Sequence, residues 1–416
     1  MKFMDKRVIS PGTLTGRTTV PSSKSVAHRA IILGGLLCDN ILIKDIDFSE
    51  DIYATLDALK TLGVMCETEE HSVKLSKEKL ITNGEIEINA RESGSTLRFL
   101  IPVAAALNNK TVFSGGGRLP ERPLDAYFEL FDKQGIKYSC PDGKYLPLTI
   151  EGGFTSDVFE IRGDTSSQFI TGLMLASATS GEHEIKITTD LQSKPYAEIT
   201  ADLMRKFGCD VSGEYKVTAS KGCNLTEYSV EKDWSQAAFF LAGGIINGNV
   251  TLTDMNMDSK QGDKEIVDII KRFGGDITVN GTEITAKKSK IKGIDIDASD
   301  IPDLVPIMSA LACFAEGTTR IYNAERLRIK ESDRLSAMYE ELTKIGADIK
   351  MTNDGLIING GKKLRGASVY GHNDHRIVMS MAIAAIGTEG DVEISDCNAV
   401  KKSWPGFFSD YQELRG

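Results

Sequence analysis

The sequence predicts an α/β (α+β) chain of two similar domains, each built from three copies of one unit. Three observations carry this expectation. An amphipathic helix closing on glycine recurs, with the glycines at Gly63, Gly135, Gly208, Gly274 and Gly346, spaced by 72, 73, 66 and 72 residues. A second helix type, alanine-rich and apolar nearly all round, alternates with it six times. The chain then stops at Gly416, 70 residues after Gly346, one hairpin short of a sixth unit.

Each element has a local reason. The alanine-rich helices read SVAHRAIILGGLL, STLRFLIPVAAAL, SSQFITGLMLASA, SQAAFFLAGGII, IPDLVPIMSALACFA and HRIVMSMAIAAIG. A helix without a polar stripe belongs inside the protein. Each leads into a short β-type run such as NVTLTDM or DVEISDC. The amphipathic helices follow, from ATLDALKTLG to SAMYEELTKIG, and their glycines read as left-handed C-caps. Hairpins come last, with Asn280-Gly281 and Asp354-Gly355 as turns. The sixth unit ends on FFSDYQELRG, and KRVISPGTLTGRTTV at residues 6–20 is expected to supply its missing hairpin. This predicts a discontinuous domain of residues 1–20 and 231–416, an inserted domain of 21–230, and a hinge near 20 and 230.

Composition narrows the function. Of 416 residues, 41% are apolar and 26% charged, which suits a globular chain. A formal charge of −10 argues against nucleic-acid or membrane-surface partners. It leaves room for an anionic small ligand, since a few placed cations outweigh a distant net charge. No run of uncharged apolar residues approaches the length of a membrane span, and the N-terminus has no apolar signal core. Seven cysteines without a C-x-x-C pair read as reduced, mostly buried thiols in a cytoplasmic protein. Five histidines without H-E-x-x-H predict no metal site.

The starts of the alanine-rich helices hold unusual polar residues: Lys24-Ser25, Glu92-Ser93-Gly94-Ser95, Ser166-Ser167-Gln168, Asp233-Trp234-Ser235, Asp300 with Asp303, and Asn373-Asp374-His375-Arg376. Helix starts carry unpaired N–H groups and partial positive charge, so they bind anions. Ordinary capping by Ser or Asp is the bland alternative at any one of them. Three starts per domain, aimed at one cleft, would form an anion-binding surface. Arg29, Arg122 in GGGRLPERPLD, Lys330 and Arg334 around IKESDRL, Arg376 and Lys402 add guanidinium and ammonium groups suited to phosphate or carboxylate. Asp303 and Glu331 are candidate proton carriers, because a carboxylate in a crowded, partly dehydrated site can act as a base. Their bland readings are an N-cap and a surface ion pair.

At these residues the chain resembles the 5-enolpyruvylshikimate-3-phosphate synthase family. PSSKSVAHRA, ESGSTLRF, LPERPLDAY, SSQFITGLM, SKPYAEIT, IPDLVPIM, LRIKESDRL, NDHRIVM and KKSWPGFF carry the resemblance along essentially the whole chain. It implies two domains of three βαβαββ units, the inside-out α/β barrel of enolpyruvyl transferases. It implies transfer of the enolpyruvyl group of phosphoenolpyruvate to the 5-hydroxyl of shikimate 3-phosphate. Phosphate leaves through a tetrahedral intermediate, with no metal or cofactor, in a cytoplasmic monomer. Carried over by motif, the shikimate 3-phosphate side is Lys24, Ser25, Arg29, Ser166, Ser167, Gln168, Ser193, Asp303 and Lys330. The phosphoenolpyruvate side is Lys24, Gly94, Arg122, Gln168, Arg334, Arg376 and Lys402. Asp303 resembles the base for the 5-hydroxyl and Glu331 the group exchanging a proton with the methylene carbon, with Lys24 sharing in proton transfer. Gly94 is where the family leaves room for the inhibitor glyphosate. Two positions depart from the pattern: Arg326 stands where Asn is frequent, and Phe99 where inhibitor-sensitive members often have Pro.

Two alternatives are weighed against this. The sister UDP-N-acetylglucosamine enolpyruvyl transferases typically pair Lys with Asn where Lys24-Ser25 stands, and usually carry a reactive Cys in the loop that here reads GGGRLPERPL. A non-catalytic anion-binding repeat protein would not need the Asp303/Glu331 pair.

Overall fold

The computed structural model describes residues 5–77, 79–220 and 222–415. The chain forms two compact units, Ser22–Glu231 on the one hand and Met1–Pro21 with Lys232–Gly416 on the other. Each has its own apolar core. The chain passes from one to the other at 21–22 and back at 231–232. At these passages the Ser23 N–H donates to the Glu231 carbonyl at 2.7 Å, and the Asp233 N–H to the Pro21 carbonyl at 3.0 Å.

The unit Ser22–Glu231 holds α1 (Lys24–Leu37), α2 (Glu50–Thr61), α3 (Gly94–Ala106), α4 (Asp125–Gln134), α5 (Ser167–Ser180) and α6 (Lys194–Lys206). The other unit holds α7 (Trp234–Asn247), α8 (Ile266–Arg272), α9 (Val305–Ala312), α10 (Arg334–Lys344), α11 (His375–Ala385) and α12 (Phe407–Arg415). The odd-numbered helices are the six alanine-rich segments, and nearly every residue in them is buried. The even-numbered ones are amphipathic and keep one face in water. The five helix-closing glycines all take positive φ, from +71° to +94°, where a Cβ would cost about 1 kcal/mol.

The sheets repeat one pattern. In the second repeat, Glu85–Asn89 runs parallel to Lys110–Ser114, which pairs antiparallel with Leu148–Glu151, which pairs antiparallel with Lys137–Ser139. Among the described residues there are five such four-stranded sheets and one of three strands. This is the βαβαββ architecture expected from the sequence.

One expectation is corrected. Residues 6–20 do not enter the sixth sheet as a hairpin. Only Lys6–Ile9 does, antiparallel to Val392–Ser395. Leu14–Thr18 instead runs parallel to Gly248–Leu252 in the fourth sheet. The reason lies in the two passages of the chain. The strand Glu227–Ser229, which precedes α7, pairs with Asn40–Lys44 in the first sheet. That leaves the fourth sheet without its parallel strand, and Leu14–Thr18, which precedes α1, fills the place.

The same pairing overturns the reading of seven reduced thiols. Cys38 and Cys223 form a disulfide across 185 residues of sequence. The parallel register sets Leu42 opposite Glu227, so the positions four residues earlier, 38 and 223, also fall opposite each other. A pairing made by tertiary register has no short spacing motif to announce it. The other five cysteines are free, three of them buried. Among the described residues no helix is long and apolar enough to cross a membrane.

Candidate active site

In the unit Ser22–Glu231, buried helices α1, α3 and α5 begin at the expected polar residues. Capping is done by the residue just before each helix. Ser23, Ser93 and Ser166 accept from the N–H groups of Val26, Thr96 and Gln168. The side chains that follow are thus left for other work. Lys24 pairs with Asp51 at the start of α2, 2.8 Å away. Gln168 is oriented from both ends. Its Oε1 accepts from Arg98 Nη1 at 2.8 Å, and its Nε2 donates to Ser95 Oγ at 3.1 Å. Ser193 sits at the head of α6 at φ +56° and does not cap it by side chain.

Arg29 is fully buried and bound to neutral oxygens only. It donates to Thr200 Oγ1 at 2.7 Å, the Ser25 carbonyl at 2.7 Å, and Thr171 Oγ1 and the Tyr196 carbonyl at 3.1 Å. Its guanidinium lies 4.9 Å from the Phe99 ring centroid, so the unusual Phe99 helps hold it. Burial pulls its pKa down to about 9, so it stays cationic at neutral pH with no carboxylate against it. Arg122 is similar. It is 6% exposed, its Nε has no partner, and its guanidinium makes no ion pair among the described residues. Gly94 makes room for it, since a Cβ there would lie 2.8 Å from Arg122 Cζ. The hydroxyls of Ser25 and Ser167 also make no hydrogen bond among the described residues. Buried cations without counter-ions beside unspent hydroxyls suit an anionic ligand.

The other unit gathers Asp303, Lys330, Glu331, Arg334 and Arg376, with Asp374 added. Arg334, 1% exposed, meets three carboxylates: Nε donates to Asp374 Oδ2 at 2.8 Å, Nη1 to Asp303 Oδ1 at 3.0 Å, and Nη2 to Glu331 Oε2 at 2.7 Å. Arg376 donates to Asp303 Oδ2 at 2.8 Å and to its carbonyl at 3.0 Å. Lys330 Nζ lies 3.9 Å from Asp303 Oδ1. Lys402 Nζ donates to the Asn373 carbonyl at 2.7 Å. Asp303 lies in the 3-10 turn Pro302–Leu304 and caps no helix. Burial alone would raise its pKa, but Arg376, Lys330 and Arg334 hold the carboxyl far below the usual range. Arg326, the departure from the family pattern, is largely buried and donates to the Ser299 carbonyl at 2.5 Å.

Two acids were not singled out from sequence, and a third was named only as a helix-start residue. Asp51 looked like any helix-start acid, and only the fold brings it to Lys24. Asp374 was visible within NDHR, but its bond to Arg334 spans 40 residues. Asp263 is buried and receives a short hydrogen bond from Ser235 at the start of α7. Burial, then the charge of Asp303, push its carboxyl up to about 7 against Arg376 and Ser235.

That raised carboxyl has a sign. Between the unfolded value of about 4 and the folded value, Asp263 is protonated in the folded chain and ionised in the unfolded one, so stability falls as pH rises through this window. Asp263→Asn keeps the acceptor for Ser235 and cannot ionise. Its melting temperature should gain on the parent's as pH goes from about 5 to about 8. A difference that stays constant with pH would contradict this.

The chain matches the family model of EPSP synthase (3-phosphoshikimate 1-carboxyvinyltransferase) over residues 8–411. It is 46% identical to the 3-phosphoshikimate 1-carboxyvinyltransferase of Clostridium acetobutylicum over 416 aligned residues, covering 98% of this chain and 97% of the relative. Identity to that of Clostridium novyi is also 46%, over 428 aligned residues and 99% and 98% of the two chains. Among solved structures it superposes on EPSP synthase from Acinetobacter baumannii with a TM-score of 0.81, 26% identity, and coverage of 99% and 98%. The enolpyruvyl transferase NikO from Streptomyces tendae, at 13% identity and a TM-score of 0.78 over 99% and 98% of the chains, shares the fold.

Proposed function

The chain belongs to the EPSP synthase family, and on that footing we propose how its own residues divide the work. The reaction is that of a 3-phosphoshikimate 1-carboxyvinyltransferase. The enolpyruvyl group of phosphoenolpyruvate passes to the 5-hydroxyl of shikimate 3-phosphate, and phosphate leaves. Both substrates are small anions. Two unit charges 4 Å apart repel by about 4 kcal/mol at an effective dielectric near 20, so the site must supply cations.

In this reading Lys24, Ser25, Arg29, Ser166, Ser167, Gln168, Ser193, Asp303 and Lys330 hold shikimate 3-phosphate. Lys24, Arg122, Gln168, Arg334, Arg376 and Lys402 hold phosphoenolpyruvate, with Gly94 leaving room beside it. A proton reaches the methylene carbon of phosphoenolpyruvate from Glu331, and the 5-oxygen adds to the neighbouring carbon as Asp303 takes its proton. The tetrahedral adduct then loses phosphate, which carries off the proton held by Asp303, as a methyl proton returns to Glu331 and restores the vinyl group. Lys24 shares in these transfers. The acidic charge balance argues against nucleic-acid and membrane-surface partners, and we propose that the chain works as a cytoplasmic monomer on these two small anions.

The observation that carries this reading is the ion cluster on Asp303. Three cations, Arg376, Lys330 and Arg334, hold its carboxyl ionised and weakly basic. Substrate phosphate and carboxylate compete for the same guanidinium groups. Each cation drawn away lets the carboxyl climb back toward its ordinary value. Asp303 then becomes a competent base when the substrates are in place, and stays quiet without them.

The direct test is phosphate release from phosphoenolpyruvate, with shikimate 3-phosphate or with UDP-N-acetylglucosamine as acceptor. Release is expected with shikimate 3-phosphate only. Release with the UDP-sugar alone would give the chain to the sister activity, and binding of either acceptor without release would make it a non-catalytic anion binder.

A further inference from the structure

The turn between the strand Ser368–Tyr370 and α11 carries His372 and Asn373, both left-handed, at φ +53° and +50°. Two consecutive non-glycine residues in this sparsely populated region persist only where their surroundings fix them. Here the surroundings are explicit. Glu341 on α10 is wholly buried and accepts from the Tyr370 N–H at 3.0 Å and from His372 Nε2 at 2.7 Å. Lys344 donates to both of its oxygens, at 2.9 and 2.7 Å. On the other side, the Asn373 N–H donates to Asp396 at 2.5 Å, and its carbonyl accepts from Lys402 at 2.7 Å.

Burial would raise the Glu341 carboxyl. His372, Lys344 and the Tyr370 N–H outweigh burial and hold it below its ordinary value, so it is a carboxylate. Glu340, Glu341 and His372 also stand close enough to share a metal ion. The Lys344 ammonium on both Glu341 oxygens makes the cluster an ion-pair clamp instead. The next residues of the chain are Asp374, which binds Arg334 and caps α11, and Arg376, which binds Asp303.

We propose that Glu341 and His372 are positioning residues for the donor substrate: by clamping the left-handed turn, they set where Asp374 and Arg376 stand. The proposal rests on reading Arg334 and Arg376 as ligands of phosphoenolpyruvate. It leaves untouched the seven residues assigned to shikimate 3-phosphate in Ser22–Glu231, and Asp303, which Arg376 also holds, keeps Arg334 and Lys330 beside it.

The experiment uses the whole chain and five variants, four single and one double. His372→Ala removes the clamp, while His372→Gln restores a donor toward Glu341. His372→Ala should raise the KM for phosphoenolpyruvate about tenfold, leave that for shikimate 3-phosphate within about twofold, and be largely rescued by His372→Gln. Glu341→Ala should move the same constant, and adding His372→Ala to it should cost nothing more, because both act through one contact. Equal KM values for His372→Ala and His372→Gln, or both substrate constants rising together, would overturn the clamp. Arg376→Ala separates this from the underlying assignment. If it leaves the phosphoenolpyruvate KM unmoved, the donor site itself is wrong and the clamp falls with it. If Arg376→Ala raises that KM and His372→Ala does not, only the clamp is rejected.

Discussion

Asp303→Asn should lower turnover by about a thousandfold while substrate binding holds or tightens. The amide keeps the shape of the carboxylate and cannot take the proton of the 5-hydroxyl. Arg334 keeps Glu331 and Asp374 as partners, and Arg376 keeps the Asp303 carbonyl, so the cluster retains its frame. Removing one negative charge leaves the cations more available to substrate anions. The expected signature is therefore a fall in kcat without a rise in either KM, in a protein whose melting temperature is far less affected than its turnover. Steady-state phosphate release and a thermal melt measure both sides. Turnover within about tenfold of the parent would remove Asp303 from the role of base.

Gly94→Ala should lower kcat/KM for phosphoenolpyruvate on the order of a hundredfold, mostly through KM. The added methyl would overlap the Arg122 guanidinium, 2.8 Å from Cζ, so Arg122 must leave its place. The same change does not disfavour the helix, since Gly94 is its first residue and has no positive φ that alanine would have to strain into. Loss of the donor site in a protein that melts no lower than the parent has no explanation in general destabilisation. An unchanged KM for phosphoenolpyruvate would show that the Arg122 position carries no donor binding.

Much of this was legible in the chain. The unit repeat was visible because helix burial and helix termination each leave a periodic trace: all-apolar runs for the odd-numbered helices, and left-handed glycines after the amphipathic ones. Asp303 was visible as a charge in an otherwise apolar helix start, and Glu331 and Arg334 within the charged run IKESDRL. What stayed hidden depends on tertiary register. Nothing local in LTGRT says that it pairs with GNVTL instead of closing the sixth sheet. Nothing around Cys38 points to Cys223, and Asp51, Asp263 and Glu341 look like ordinary helix acids until the fold gives Lys24, Ser235 and His372 to them. Charges are readable as types from sequence, whereas partners are set by the fold.

The traded strands also have a consequence in time. During synthesis, Ser22–Glu231 has every strand of its sheets once residue 231 has emerged. Leu14–Thr18 must wait for Gly248–Leu252, which begins 230 residues after it ends. At about 5–20 residues per second, that is a delay on the order of ten to fifty seconds on the ribosome. Through all of it, the nascent chain carries an orphan strand, and the half of the protein that is begun first is the half that is finished last.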